Sequence, residues 1–184
     1  MAVALVHDPV LALVMRAGLA LLLASAAGHK LHDRVAFQGV LYAYRLLPAV
    51  LVPVAAPAIA VVELGLALAV VVPASQTAGA FGAVALLAIY SVAIAWNLWR
   101  GRREIDCGCG APGARQPLSE WLLARNALLA VTALLTLRPF APRPLVWIDW
   151  LTLAGGLAVA SCAWMAGHGL AAASQRARTV GTLR

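Results

Sequence analysis

The sequence predicts an all-α fold, a polytopic membrane bundle of four to five transmembrane helices. Two observations carry this. Hydrophobic residues make up 63% of the chain and charged residues only 11%, with a mean hydropathy of +0.88, outside the range of ordinary soluble domains. The apolar residues also fall into nearly uncharged runs of about 20, the length that crosses roughly 30 Å of hydrocarbon. With 184 residues the chain has room for a single membrane domain over residues 1–172 and a basic tail over 173–184.

The first span is placed at Val10–Ala27. Ala24-Ser25-Ala26 resembles a signal-peptide cleavage site, but no Lys or Arg precedes Val10, and the missing basic segment argues against a cleaved leader. A short interfacial helix is expected over Val35–Leu47. The second span, Leu46–Val72, carries Pro48, Pro53 and Pro57, which remove backbone donors and predict a bent approach into the membrane. The remaining spans are Thr77–Leu98, Leu118–Leu137 and Val146–Leu170. Gly79 and Gly82 in the third and Gly155-Gly156 in the fifth permit close helix contact. Beyond Gly169 the chain turns small, polar and basic and is expected to fray at the surface.

The net charge of +7 comes from 14 Lys and Arg against 7 Asp and Glu. The excess lies in connections and the tail, where it meets anionic lipid headgroups, and no nucleic-acid role is expected. Lys30, Arg34 and Arg45, then Arg100, Arg102, Arg103 and Arg115, then Arg176, Arg178 and Arg184 fall on one side of a five-span chain. The positive-inside rule makes that side cytoplasmic.

Asp106-Cys107-Gly108-Cys109-Gly110 is the most informative motif, a close cysteine pair in the long polar connection. Gly108 frees the backbone for a tight turn, and a disulfide across it would be strained and hence labile and exchanging rather than structural. Neighbouring arginines favour the thiolate that exchange requires, while Asp106 opposes it at Cys107 and leaves Cys109 as the more exposed nucleophile. The plainer reading is a loop holding two inert cysteines. Thiolates with His29, His32 or His168 form a zinc or copper alternative, but no second Cys/His pair stands at ligand spacing, so no metal is expected.

Other polar residues are expected to gather where this loop leaves the membrane: His29-Lys30, Arg45, Asn97, Arg100 and Arg125-Asn126. Arg16 and Glu63 lie inside apolar spans at similar depth, where they would pair as a register-fixing ion pair or serve a proton or quinone-linked role. Asp149, between Trp147 and Trp150, reads as an interfacial anchor. Cys162 reads as a small core hydrophobe.

Taken in order, His29-Lys30, Tyr44-Arg45-Leu46-Leu47-Pro48, Glu63, Asn97 with Arg100-Gly101, Ile105 through Cys109, and Leu118-Ser119 with Arg125-Asn126 resemble the methylamine-utilisation membrane protein family MauE, related to the DoxX-like proteins. The likeness runs from about Arg16 to Leu137. It departs at Gly110-Ala111-Pro112-Gly113, where many members are expected to carry an aromatic residue.

The resemblance implies a multi-pass protein of the bacterial inner membrane that supports maturation of methylamine dehydrogenase. The clients would be the disulfides of that enzyme's small subunit, the partner a thioredoxin-like protein of the MauD type, and the redox pair Cys107 and Cys109. Asp106, Arg45, Glu63, Asn97, Arg100 and Arg125 would be supporting positions. Clients outside the cell membrane would place the thiols outside, against the charge rule. The alternatives are a non-catalytic membrane assembly factor and a quinone-linked oxidoreductase, with a quinone as the one cofactor left open.

Overall fold

The structure, a computed structural model, describes residues 9–108, 116–138 and 143–181. These form α1 (Pro9–His32), α2 (Arg34–Tyr44), a 3-10 turn at Ala49–Leu51, α3 (Val52–Val71), α4 (Gln76–Trp99), α5 (Glu120–Leu135) and α6 (Trp147–Gly181). Among the described residues, four stretches are long and apolar enough to cross a membrane: Pro9–His32, Ala49–Val71, Gln76–Trp99 and Trp147–Gly167. The protein is a multi-pass membrane protein. The expected fourth span is shorter than its hydropathy suggests. α5 has 16 residues, about 24 Å at 1.5 Å per residue, and its N-cap Ser119 is in extended backbone.

The chain divides into two compact units, Met15–Pro139, and Met1–Val14 with Phe140–Arg184. In the first, α4 packs on both α3 and α5. The approach to α3 is set by glycine: a Cβ at Gly79 would lie 2.6 Å from the backbone of Ala69 and Val70. Leu19, Leu23, Ala67, Val70, Ala83, Leu86 and Ala133 fill the core beside that crossing. Val54, Val61, Leu68, Phe81, Val92 and Leu128 point outward, an apolar surface suited to lipid.

Asp33 alone separates α1 from α2, and its Oδ1 accepts from Ala36 N–H at 2.9 Å, an N-cap. α2 stops at Tyr44 rather than Leu47. Arg45 turns left-handed (φ 52°), and Leu47 is pushed out of helical geometry by Pro48 behind it. Pro53 lies in the first turn of α3, where the missing donor costs nothing, and only Pro57 stands inside the helix.

Arg16 is tied to the end of α5. Its Nη2 donates to the Thr136 carbonyl at 3.1 Å, as does Gln76 Nε2 at 3.1 Å. A cation at the C-terminal end of α5 meets the negative end of that helix dipole.

In the second unit, Asp149 Oδ2 accepts from Val146 N–H at 2.8 Å, and Arg143 holds both carboxylate oxygens at 2.7 and 2.9 Å. The residue read as an interfacial anchor thus also caps α6. A Cβ at Gly156 would lie 3.1 Å from Val14 Cγ2, whereas Gly155 faces open space, so only one of the two glycines serves close packing. Cys162 is exposed on α6 rather than a core residue. The helix runs on to Gly181, past the Gly169 where fraying is expected. Ala171 through Ala177 is rich in strong helix formers.

Candidate functional site

The connection between α4 and α5 is tied at its two ends. Asp106 and Pro117 form an isolated antiparallel bridge, Cys107 N–H donates to the Gln116 carbonyl at 2.9 Å, and Leu118 N–H is shared by the carbonyls of Arg103 and Ile105 at 3.1 Å each. Asp106 Oδ1 accepts from Gly108 N–H at 3.0 Å. The aspartate beside the thiol is therefore used to close a turn. Gly108 has φ +74°, and a Cβ there would lie 3.0 Å from Val40 Cγ1 and 3.3 Å from the Phe37 ring. Only glycine lets the loop rest this closely on α2.

Cys107 is not set apart from the apolar mass. It is buried with Tyr44, Ile94, Ile105, Leu118 and Leu122. The cause is the period-two alternation of extended backbone, which turns Ile105 and Cys107 inward and leaves Asp106 half-buried between them. Cys109 lies outside the described residues.

The arginines expected around the thiol have other partners or face outward. Arg103 Nη1 and Nη2 bond both carboxylate oxygens of Glu120 at 3.1 and 2.5 Å. These bonds, and the carboxylate charge, raise the Arg103 pKa above its already high ordinary value. Arg102 donates to Asn97 Oδ1 at 3.2 Å, and Asn97 Nδ2 reaches the Ala93 carbonyl at 3.0 Å, so Asn97 fastens the last turn of α4. Arg45 and Arg100 are exposed.

Glu63 and Arg125 belong to two buried polar clusters on either side of α4. Lys30 Nζ lies 2.5 Å from Glu63 Oε1, with both side chains almost completely buried, and Tyr90 Oη donates to the same oxygen at 2.6 Å. The ammonium also stands 5.2 Å from the Phe37 ring centroid and 5.5 Å from that of Tyr90, within cation–π range. The Glu63 ion pair is thus made with Lys30. Arg16 stands fourteen residues earlier on the same helix, about 21 Å along its axis. In the other cluster, Arg125 Nε and Nη2 bond Asn126 Oδ1 at 3.3 and 3.1 Å, and Asn126 Nδ2 donates to Ser91 Oγ at 3.3 Å.

Between α2, α3 and α4 lies a cavity of about 210 Å³ that brings these parts together. Lys30 and Cys107 line it with Phe37, Tyr44, Ile59 and Tyr90. Sequence reading missed Tyr90 and the role of Lys30. The available signal was Tyr90-Ser91, a polar pair in the middle of an otherwise apolar run.

The family described as methylamine utilisation protein MauE matches residues 8–139. The chain belongs to the MauE family. Among MauE proteins, that of Methylorubrum extorquens is 43% identical over 144 residues, 77% of each chain. The Paracoccus denitrificans MauE is 40% identical over 127 residues, 69% of this chain and 68% of the relative. The Methylophilus methylotrophus MauE is 43% identical over 115 residues, 62% and 58%. No solved structure matches the chain. The MauE match spans both buried clusters and the thiol loop, and it ends before α6.

Proposed function

We propose that this protein acts in methylamine utilisation by supporting maturation of methylamine dehydrogenase, through thiol–disulfide exchange between Cys107/Cys109 and a thioredoxin-like partner of the MauD type. The observation that carries the reading is the placement of Cys107. A bridged, hydrogen-bonded backbone holds it at a cavity wall, immediately before a glycine turn with positive φ, and the sequence supplies a second thiol two residues on.

Exchange proceeds by attack of a thiolate on a partner disulfide, through a mixed disulfide that the second thiol resolves. Electrons balance: as Cys107 and Cys109 become a disulfide, the partner's disulfide becomes two thiols, and the reverse direction restores both. The burial of Cys107 supports Cys109 as the attacking thiol and Cys107 as the resolving one, since attack on a protein disulfide requires access.

The experiment is replacement of both cysteines by Ser in cells that make the dehydrogenase. Loss of the small subunit's disulfides and of its tryptophan-derived quinone is expected. An intact, fully active dehydrogenase in that strain sinks the exchange reading and leaves a non-catalytic assembly factor, which the packing of Cys107 in an apolar cluster favours. Labelling of single-cysteine variants with a membrane-impermeant maleimide assigns the side: reaction in intact cells places the pair outside, and reaction only in opened cells places it in the cytoplasm.

A further inference from the structure

We propose that the cavity between α2, α3 and α4 is a lipid site, which takes an acyl chain of an anionic phospholipid and holds that lipid's phosphate at Arg45. The interior sets the first half. Of the described lining residues only Lys30 is charged, and it is already engaged by Glu63 and by the faces of Phe37 and Tyr90. The rest of the wall is hydrocarbon, aromatic ring and the Cys107 thiol, so it asks nothing polar of an occupant. Water does not settle in such a space, and an empty one forfeits the dispersion contacts of its walls.

Depth, opening and size agree with a lipid chain. The exposed Trp96 and Trp99 mark the headgroup level at the end of α4. Ile94 and Ile89 line the cavity five and ten residues before Trp99, about 7.5 and 15 Å below it along the helix. That is the depth of one leaflet, half of a hydrocarbon core of roughly 30 Å. Leu46, Leu47 and Ile89 line the cavity and are also exposed, so it opens sideways to the bilayer. Its volume of about 210 Å³ exceeds the roughly 150 Å³ of a cavity that holds benzene, so it admits more than a six-carbon segment.

Arg45 supplies the headgroup contact. It stands between Tyr44 and Leu46, both in the cavity wall. Its side chain is exposed and, among the described residues, has no hydrogen-bond or ion-pair partner. The backbone there is left-handed (φ 52°), a position where glycine is the usual residue and a side chain is disfavoured. The turn therefore does not account for an arginine, and a phosphate at the mouth of the cavity does. An acyl chain in this place lies against Cys107 and covers its thiol, whether or not the cysteines exchange disulfides.

The test is photo-crosslinking of the purified full chain in phosphatidylcholine vesicles. The probes are phosphatidylglycerol and phosphatidylcholine, each with a diazirine near the middle of one acyl chain, and adducts are mapped by peptide mass spectrometry. Adducts are expected at Ile94 and Cys107, which are buried from the surrounding lipid, as well as at the outward-facing Val92. Phosphatidylglycerol is expected to label Ile94 about fivefold more than phosphatidylcholine, the effect of one cation at an anionic headgroup. Arg45→Gln is expected to remove that preference and Arg45→Lys to keep it. Ala93→Phe, which fills the cavity, is expected to lose the Ile94 and Cys107 adducts and retain those at Val92. The two Arg45 variants change an exposed side chain and keep the test informative where Ala93→Phe does not fold. Adducts confined to outward-facing residues, Ile94 labelling undiminished in Ala93→Phe, or equal labelling by the two headgroups overturns the proposal.

Discussion

Tyr90 and Ser91, consecutive on α4, serve different buried clusters: Tyr90 Oη donates to Glu63 Oε1 at 2.6 Å, and Ser91 Oγ accepts from Asn126 Nδ2 at 3.3 Å. Successive residues on a helix point about 100° apart, so one helix reaches α1 and α3 with the first side chain and α5 with the second. The Lys30–Glu63 and Arg125–Asn126 clusters thus meet α4 at a single step of the helix.

The ion pair of that step is expected to behave as a buried pair. Glu63→Leu leaves the Lys30 charge uncompensated and is expected to cost about 3–5 kcal/mol. The double variant Lys30→Met/Glu63→Leu replaces both charges with apolar groups and is expected to recover most of the loss. Thermal unfolding in detergent of the two single variants and the double reads this directly; a double variant no better than Glu63→Leu contradicts it.

The thiol loop supplies a paired comparison. Gly108 and Gly101 have nearly the same backbone, φ +74° and +71°, but a Cβ at Gly108 meets Val40 and Phe37 while one at Gly101 meets nothing within 4 Å. Gly101→Ala carries only the conformational penalty, about 1 kcal/mol. Gly108→Ala adds overpacking of about 1–3 kcal/mol and lifts the loop from α2. A membrane-permeant maleimide is therefore expected to react faster with Cys107 in Gly108→Ala and at the native rate in Gly101→Ala.

A similar contrast exists within the bundle. Gly79→Ala places a methyl group against the Ala69 and Val70 backbone, which cannot move aside as a side chain can, whereas a Cβ at Gly65 meets open space. Gly79→Ala is expected to lower the midpoint of thermal unfolding clearly. Gly65→Ala is expected to leave it unchanged or raise it, since alanine is the better helix former.

Arg103 and Glu120 form the most regular ion pair of the loop, yet both side chains are more than half exposed. Exposed pairs contribute little. Glu120→Gln is expected to leave the unfolding midpoint within error, and a clear drop would show that the loop depends on this contact.

Much of the bundle was legible because hydropathy and length are local properties. The four long spans, the interfacial helix and the close approach at Gly79 all follow from composition and small residues. The interior was less legible because depth along a span does not say which way a side chain points. Glu63 was recognisable as a buried carboxylate, but its partner Lys30 stood at a helix end and read as a headgroup contact. Cys107 read as part of a polar loop because its neighbours in sequence are polar, while the bridge to Pro117 that turns it inward joins residues eleven apart.

Asp33 is the whole connection between α1 and α2, and one residue reaches only about 3.5 Å. The chain has no slack there, so α2, which carries Phe37 and Tyr44 of the cavity wall, must follow wherever the end of the first span goes. That end is pinned to α3 by the buried Lys30–Glu63 pair. One buried ion pair thereby fixes two helices at once, and the wall that faces Cys107 is set by a contact that Cys107 itself does not touch.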